Sequence, residues 1–102
     1  MYGTIAKYRV KPGHGQALEQ EFDSFQASPP EGFVANTVYR NVDDPNEIWI
    51  AAVFESEAQY RANAGSPEMD QRFRAMLEHL EAEPEWHDGH VIRHNVKAGA
   101  TA

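Results

Sequence analysis

Three polar side chains in this sequence have the chemistry to act on a small organic molecule: Asn63, Tyr8 and His90. The carboxamide of Asn63 carries two donors and an acceptor, enough to orient a phenol or to stabilise a developing oxyanion. It shares a helical face with Tyr60 and Ala64 and stands just ahead of Gly65, where an asparagine also serves as a helix-end residue bonding locally. Tyr8 alternates onto one strand face with Tyr2, Thr4 and Ala6, so its hydroxyl can line a pocket or simply bury itself against one hydrogen-bond partner. His90 is the preferred candidate for a base near neutral pH. Around these, Trp49, Phe54, Tyr60, Phe73 and Trp86 offer an aromatic wall for a bound ligand, with plain core packing as the competing account of the same residues.

The histidines His87, His90 and His94, with His79 upstream, invite a metal reading that their spacing does not support. Strand alternation puts His90 and His94 on one face and His87 on the other, and next neighbours on a face stand about 7 Å apart along a strand. No paired carboxylate accompanies them, and no metal is expected. Lys11-Pro12-Gly13-His14-Gly15 holds two glycines but lacks the further glycine and the Lys-Ser/Thr of a nucleotide cradle, so no nucleotide cofactor is expected either. With no cysteine in the chain, a disulfide framework, a thiolate metal site and a cysteine nucleophile are all excluded. A Ser-His-Asp triad cannot be read here, because its members meet only in space.

The elements that must position these groups follow from hydrophobic period. Residues 2 to 10 alternate and end at Lys11-Pro12-Gly13, which predicts a strand closed by a turn. Leu18, Phe22 and Phe25 recur at helical spacing opposite Glu19, Gln20 and Asp23, predicting a helix from about Gly15 that stops near Ser28-Pro29-Pro30. Two strand-like runs, 33 to 42 and 47 to 54, flank the turn-forming Asp43-Asp44-Pro45-Asn46. Ser56-Glu57-Ala58-Gln59 has the pattern of a capping box, opening a short helix that should end at Gly65. Ser66-Pro67 restarts a helix on which Met69, Phe73, Met76, Leu77 and Leu80 form an apolar face. Residues 86 to 96 are expected as a last strand interrupted by Gly89, residues 1 to 96 as one domain, and residues 97 to 102 as a flexible tail. The order β-α-β-β-α(α)-β is that of an α+β, ferredoxin-like split βαβ fold.

The run Ile48 to Phe54 is apolar on both faces, yet 102 residues with three helical patterns cannot cover both sides of a sheet. A second copy of the chain is the expected cover, in a homodimer. The formal charge of −7, from 9 Lys+Arg against 16 Asp+Glu, argues against a nucleic-acid partner. No stretch approaches the ~20 apolar residues of a membrane span, and the first residues lack the pattern of a secretory signal. A soluble, cytoplasmic protein is the expectation.

Three stretches together carry a resemblance that spans nearly the whole chain: Arg9-Val10-Lys11-Pro12-Gly13 leading into a helix, the hairpin ending Phe54-Glu55-Ser56-Glu57, and Ser66-Pro67-Glu68-Met69 ahead of Phe73. In order and spacing the chain resembles the antibiotic biosynthesis monooxygenase family. That resemblance implies a dimeric α/β barrel in which two ferredoxin-like sheets pair, with a ligand pocket in each subunit between sheet and helices. It implies activities such as cofactor-independent oxygenation of quinols and polycyclic aromatics, haem degradation or isomerisation of small molecules. Haem degraders of the family use an asparagine, a tryptophan and a ligating histidine at positions that correspond here to Tyr8, Asn63 and Phe73, so none matches and haem chemistry is disfavoured. Many other relatives carry a histidine where this chain has Asn63. The expected activity is therefore monooxygenation, without a cofactor, of a small aromatic or quinol, with Asn63, Tyr8 and His90 as catalytic candidates. The rival reading is a non-catalytic, ligand-binding or stress-associated dimer with the same pocket.

Overall fold

The computed structural model describes residues 1–98. Its elements are β1 (Tyr2–Arg9), α1 (Gly15–Ala27), β2 (Phe33–Arg40), β3 (Glu47–Phe54), α2 (Glu57–Ala64), α3 (Pro67–Leu77) and β4 (Glu85–His90). The four strands form one antiparallel sheet in the order β2-β3-β1-β4, the ferredoxin-like arrangement that the element order predicts. β1 is central, pairing Tyr2 with Phe54 and Tyr8 with Ile48 on one side, and Thr4 with Asp88 and Ala6 with Trp86 on the other.

Alternation along β1 settles which face is which. Tyr2, Thr4, Ala6 and Tyr8 are buried under the helices, whereas Ile5, Lys7 and Arg9 stand on the opposite, open face. The core beneath the helices is a cluster of Ala6, Tyr8, Val10, Leu18, Ile48, Ile50 and Leu80, with Phe22, Met76 and Leu77 packed against it. Burial of these apolar side chains is the main term holding helices to sheet, at about 25 cal/mol per Å² removed from water.

Caps divide the second helical segment as its sequence suggests. Ser56 Oγ accepts the Gln59 amide at 3.2 Å to start α2, and Ser66 Oγ accepts the Met69 amide at 3.1 Å to start α3, with Pro67 in its first turn. Gly32, with φ +83°, uses the left-handed region that glycine adopts at no steric cost, and the Gln59 side chain lies directly over it.

β1 and β2 end at Arg9 and Arg40, one and two residues before the expected ends, and two boundaries differ by more. α3 ends at Leu77, three residues short of the apolar pattern, because the His79 and Leu80 amides close tighter turns onto Met76 and Leu77. Leu80 then pairs with Val10 as an isolated bridge, so its burial comes from the sheet side and not from the helix. β4 ends at His90 instead of Val96: the β1 ladder stops at Tyr2, and one further bond runs from the Val91 amide to the Met1 carbonyl. Gly89 does not interrupt the strand but pairs with Gly3. Of the expected tail, Lys97 and Ala98 are exposed, and residues 99–102 lie outside the described residues.

Candidate functional site

A cavity of about 180 Å³ lies between the helix-covered face of the sheet and the three helices. Its floor is the even-numbered face of the two central strands, Thr4, Ala6 and Tyr8 from β1 with Ile50, Ala52 and Phe54 from β3. Phe22 and Phe25 of α1, Tyr60, Asn63 and Ala64 of α2, and Met69, Phe73 and Met76 of α3 supply walls, and Trp86 of β4 supplies the remaining aromatic side. Aromatic rings interlock around it edge to face: Phe25 on Phe33, Phe33 on Phe54 and Phe54 on Tyr60, with centroids 5.3, 5.8 and 5.5 Å apart. Tyr8 meets Trp86 at 6.0 Å, and Trp86 meets Phe73 at 6.1 Å.

Thr4 and Tyr8 are four residues apart on one strand face, so the floor runs roughly 13 Å along β1. At the Tyr8 end the hydroxyl is so deeply buried that desolvation pushes its pKa far above that of a free tyrosine. Tyr8 therefore stays protonated at any physiological pH and can donate a hydrogen bond but not act as a base. At the Thr4 end, Tyr60 donates its hydroxyl proton to the Asp88 carboxylate at 2.8 Å. Burial, followed by that bond, pushes the Tyr60 pKa up to about 12. The Thr4 hydroxyl beside it is fully buried and near enough to the Tyr60 oxygen to offset part of that rise, but it makes no well-aligned hydrogen bond.

Of the residues proposed from sequence, Asn63, Tyr8, Phe54, Tyr60, Phe73 and Trp86 all line this cavity. Asn63 caps no helix through its side chain; its backbone carbonyl, which any residue would supply, accepts from the Ser66 amide and hydroxyl. Trp49 does not reach the cavity. It pairs with Lys7 and Tyr39 on the open face of the sheet, because the odd residues of β3 point away from the helices. His90 does not reach it either: it lies exposed on the edge strand, packed against the Tyr2 ring at 5.1 Å, and Tyr2 in turn packs on Tyr60.

The other histidines scatter. His79 Nδ1 faces His14 Nδ1 at 3.1 Å, His87 stands on the open face 3.8 Å from Glu85, and His94 falls beyond β4. Among the described residues no group of three or more His, Asp or Glu side chains is arranged to hold a metal ion. Sequence reasoning missed Thr4 as a polar group of the lining and Asp88 as the exposed partner of Tyr60. Each is an ordinary strand residue, and only the register between β1 and β4 brings them together.

Comparison with known proteins agrees with this geometry. The family model described as "Antibiotic biosynthesis monooxygenase" matches residues 1–75. The chain belongs to the antibiotic biosynthesis monooxygenase family. Among solved structures, a candidate antibiotic biosynthesis monooxygenase from Chloroflexus aurantiacus is 26% identical, covers 93% of this chain and 96% of its own, and superposes with a TM-score of 0.77. SnoaB, a cofactor-independent oxygenase from Streptomyces nogalater, in a form with one asparagine replaced by alanine, shares the fold at 18% identity. That match covers 91% of this chain and 94% of SnoaB, with a TM-score of 0.78. A conserved protein from Methanosarcina mazei is similar at 21% identity over 86% of this chain and 89% of its own, with a TM-score of 0.76. No curated protein sequence matches the chain. In this antibiotic biosynthesis monooxygenase domain the matched region spans β1 through most of α3, so it holds every cavity residue except Met76 and Trp86.

Proposed function

We propose that the chain is a cofactor-independent monooxygenase that oxidises a small aromatic or quinol held in the cavity between sheet and helices. The observation that carries this reading is an aromatic-walled cavity with hydroxyl and amide groups at Thr4, Tyr8, Tyr60 and Asn63, and with Glu21 and Arg72 as the charged residues of its lining. An electron-rich ring buried there is shielded from water, and dioxygen, a small apolar molecule, can meet it in the cavity. The Asn63 amide and the protonated Tyr8 hydroxyl are donors for the negative charge that builds on the ring oxygen. Size restricts the substrate: a dry cavity of about 150 Å³ accommodates benzene, whereas drug-sized ligands need about 300 Å³ or more. A substrate of one or two rings is the fit for about 180 Å³.

The open face of the sheet supports a homodimer. Ile5 and Tyr39 stand 61% and 55% exposed there, next to Trp49, Ala51 and Val53, a patch that a second sheet of the same kind would cover.

Oxygen uptake with naphthohydroquinone tests the activity. Substrate and dioxygen, with no external reductant, give hydroxynaphthoquinone and water, and labelled dioxygen should leave one label in the quinone. Saturable uptake in chelator-treated protein is the expected result. Stoichiometric retention of the hydroquinone without turnover would instead make the protein a ligand-binding dimer.

A further inference from the structure

At one end of the cavity two polar groups of its lining, Thr4 of β1 and Tyr60 of α2, adjoin the exposed Asp88 of β4, which bonds Tyr60 from outside the lining. Asp88 is the Cα partner of Thr4 in the sheet, so both side chains rise on the same face. In the 2.8 Å bond the Tyr60 hydroxyl donates and the Asp88 carboxylate accepts. A phenol has one proton. With it committed to Asp88, the Tyr60 oxygen offers only acceptor capacity. Thr4 is 7% exposed, and its hydroxyl is buried without a hydrogen-bond partner at the cavity floor. A buried hydroxyl without a well-aligned partner is costly, so the fold carries a poorly satisfied donor at a place where a ligand would sit.

We infer that Thr4, Tyr60 and Asp88 form a specificity subsite for a free hydroxyl on the ligand's ring, which accepts from Thr4 and donates to Tyr60. This rests on the reading of the cavity as a ligand site and adds to it a discrimination among substituents. An ether or a ketone can accept from Thr4, but it has no proton for Tyr60 and leaves that acceptor unpaired. Asp88 touches no ligand. It acts by setting the direction of the Tyr60 hydroxyl, and is a positioning residue.

Affinities of the full chain for naphthol, methoxynaphthalene and naphthalene, measured by titration calorimetry, test the inference. Tyr60→Phe removes the acceptor and should lower the naphthol-to-methoxynaphthalene affinity ratio about tenfold, equal to about 1.4 kcal/mol. Asp88→Ala frees the Tyr60 proton to point at the ligand, so the ratio should shift toward the ether. Thr4→Val should weaken naphthol and methoxynaphthalene alike relative to naphthalene. An unchanged naphthalene affinity in each variant reports that the cavity is intact. A ratio within twofold of the parent in both Tyr60→Phe and Asp88→Ala, with all three compounds binding, overturns this inference alone. No binding of any of the three to the parent protein overturns it together with the ligand-site reading.

Discussion

Trp49 and Ile50 are neighbours in sequence and opposites in space: Ile50 is buried on the cavity floor, while Trp49 stands 38% exposed on the far side of the sheet. The pleat of β3 thus divides its apolar run between two faces, the even residues under the helices and the odd ones on the open face that a second subunit covers in the proposed homodimer. Replacing Ile5 and Trp49 together with glutamate should give a folded monomer, because like charges would face each other across the seam. Light scattering checks this, against a parent dimer whose interface should bury about 1,200 Å² or more. A parent protein that stays monomeric at micromolar concentration would remove the second cover from the account.

The unpaired Thr4 hydroxyl gives a stability test independent of any ligand. Valine has nearly the same shape and no donor, so Thr4→Val should raise stability by about 1 kcal/mol as the desolvation penalty disappears. Denaturant unfolding reads the change directly. Destabilisation of similar size would mean that the hydroxyl is satisfied in solution.

Asn63→Ala should leave folding almost untouched. The capping bonds at this helix end use the Asn63 carbonyl, which alanine supplies equally, so a change within about 0.5 kcal/mol is expected. Oxygen uptake with naphthohydroquinone, in contrast, should fall at least tenfold if the amide stabilises charge on the substrate. Unaltered turnover would return Asn63 to the wall.

Acid should loosen the β2–β3 end of the sheet first. The Asn41 amide bonds Glu47 at 2.6 Å, and Lys7 lies 3.2 Å from the same carboxylate; together they hold its pKa below the ordinary 4.5. Asp44 is held below 3.8, chiefly by its 2.8 Å bond from Arg9. Both folded values lie under the unfolded ones, so their stabilisation is complete above about pH 4.5 and is lost as pH falls through the folded values. Circular dichroism from pH 6 to about 2 should show the loss, and Glu47→Gln should make that limb shallower. Stability that instead falls as pH rises through this range would reverse the assignment.

Most of the fold is legible in the sequence, because each boundary has a local chemical cause. Turn residues at Asp43 to Asn46 separate β2 from β3, and Ser66-Pro67 restarts the helix after Gly65. What failed was decided by tertiary pairing. Leu80 continues a helical apolar pattern, yet a bridge to Val10 takes it. Trp49 sits in a run apolar on both sides, where composition gives no sign of which face meets the helices. His90 carries the right chemistry for a base but stands where the edge strand leaves the cavity. Conversely, Thr4 and Asp88 acquire their roles only from the β1–β4 register, a relation no single stretch of chain contains.

The cavity is roofed in part by α2 and α3, helices of 8 and 11 residues with no fully buried side chain on either. Helices this short do not persist in water by themselves, so this stretch of roof exists only while it leans on the sheet and on its neighbours. Filling the void beneath it adds contacts that the empty protein lacks. Occupancy and roof order are therefore linked quantities: a ligand present at a hundred times its dissociation constant should stabilise the native state by about 2.7 kcal/mol. For a domain of this size, that is a rise in melting temperature on the order of ten degrees or more. A thermal-shift screen thus searches for the natural substrate without knowing the reaction, because the roof itself reports what fits beneath it.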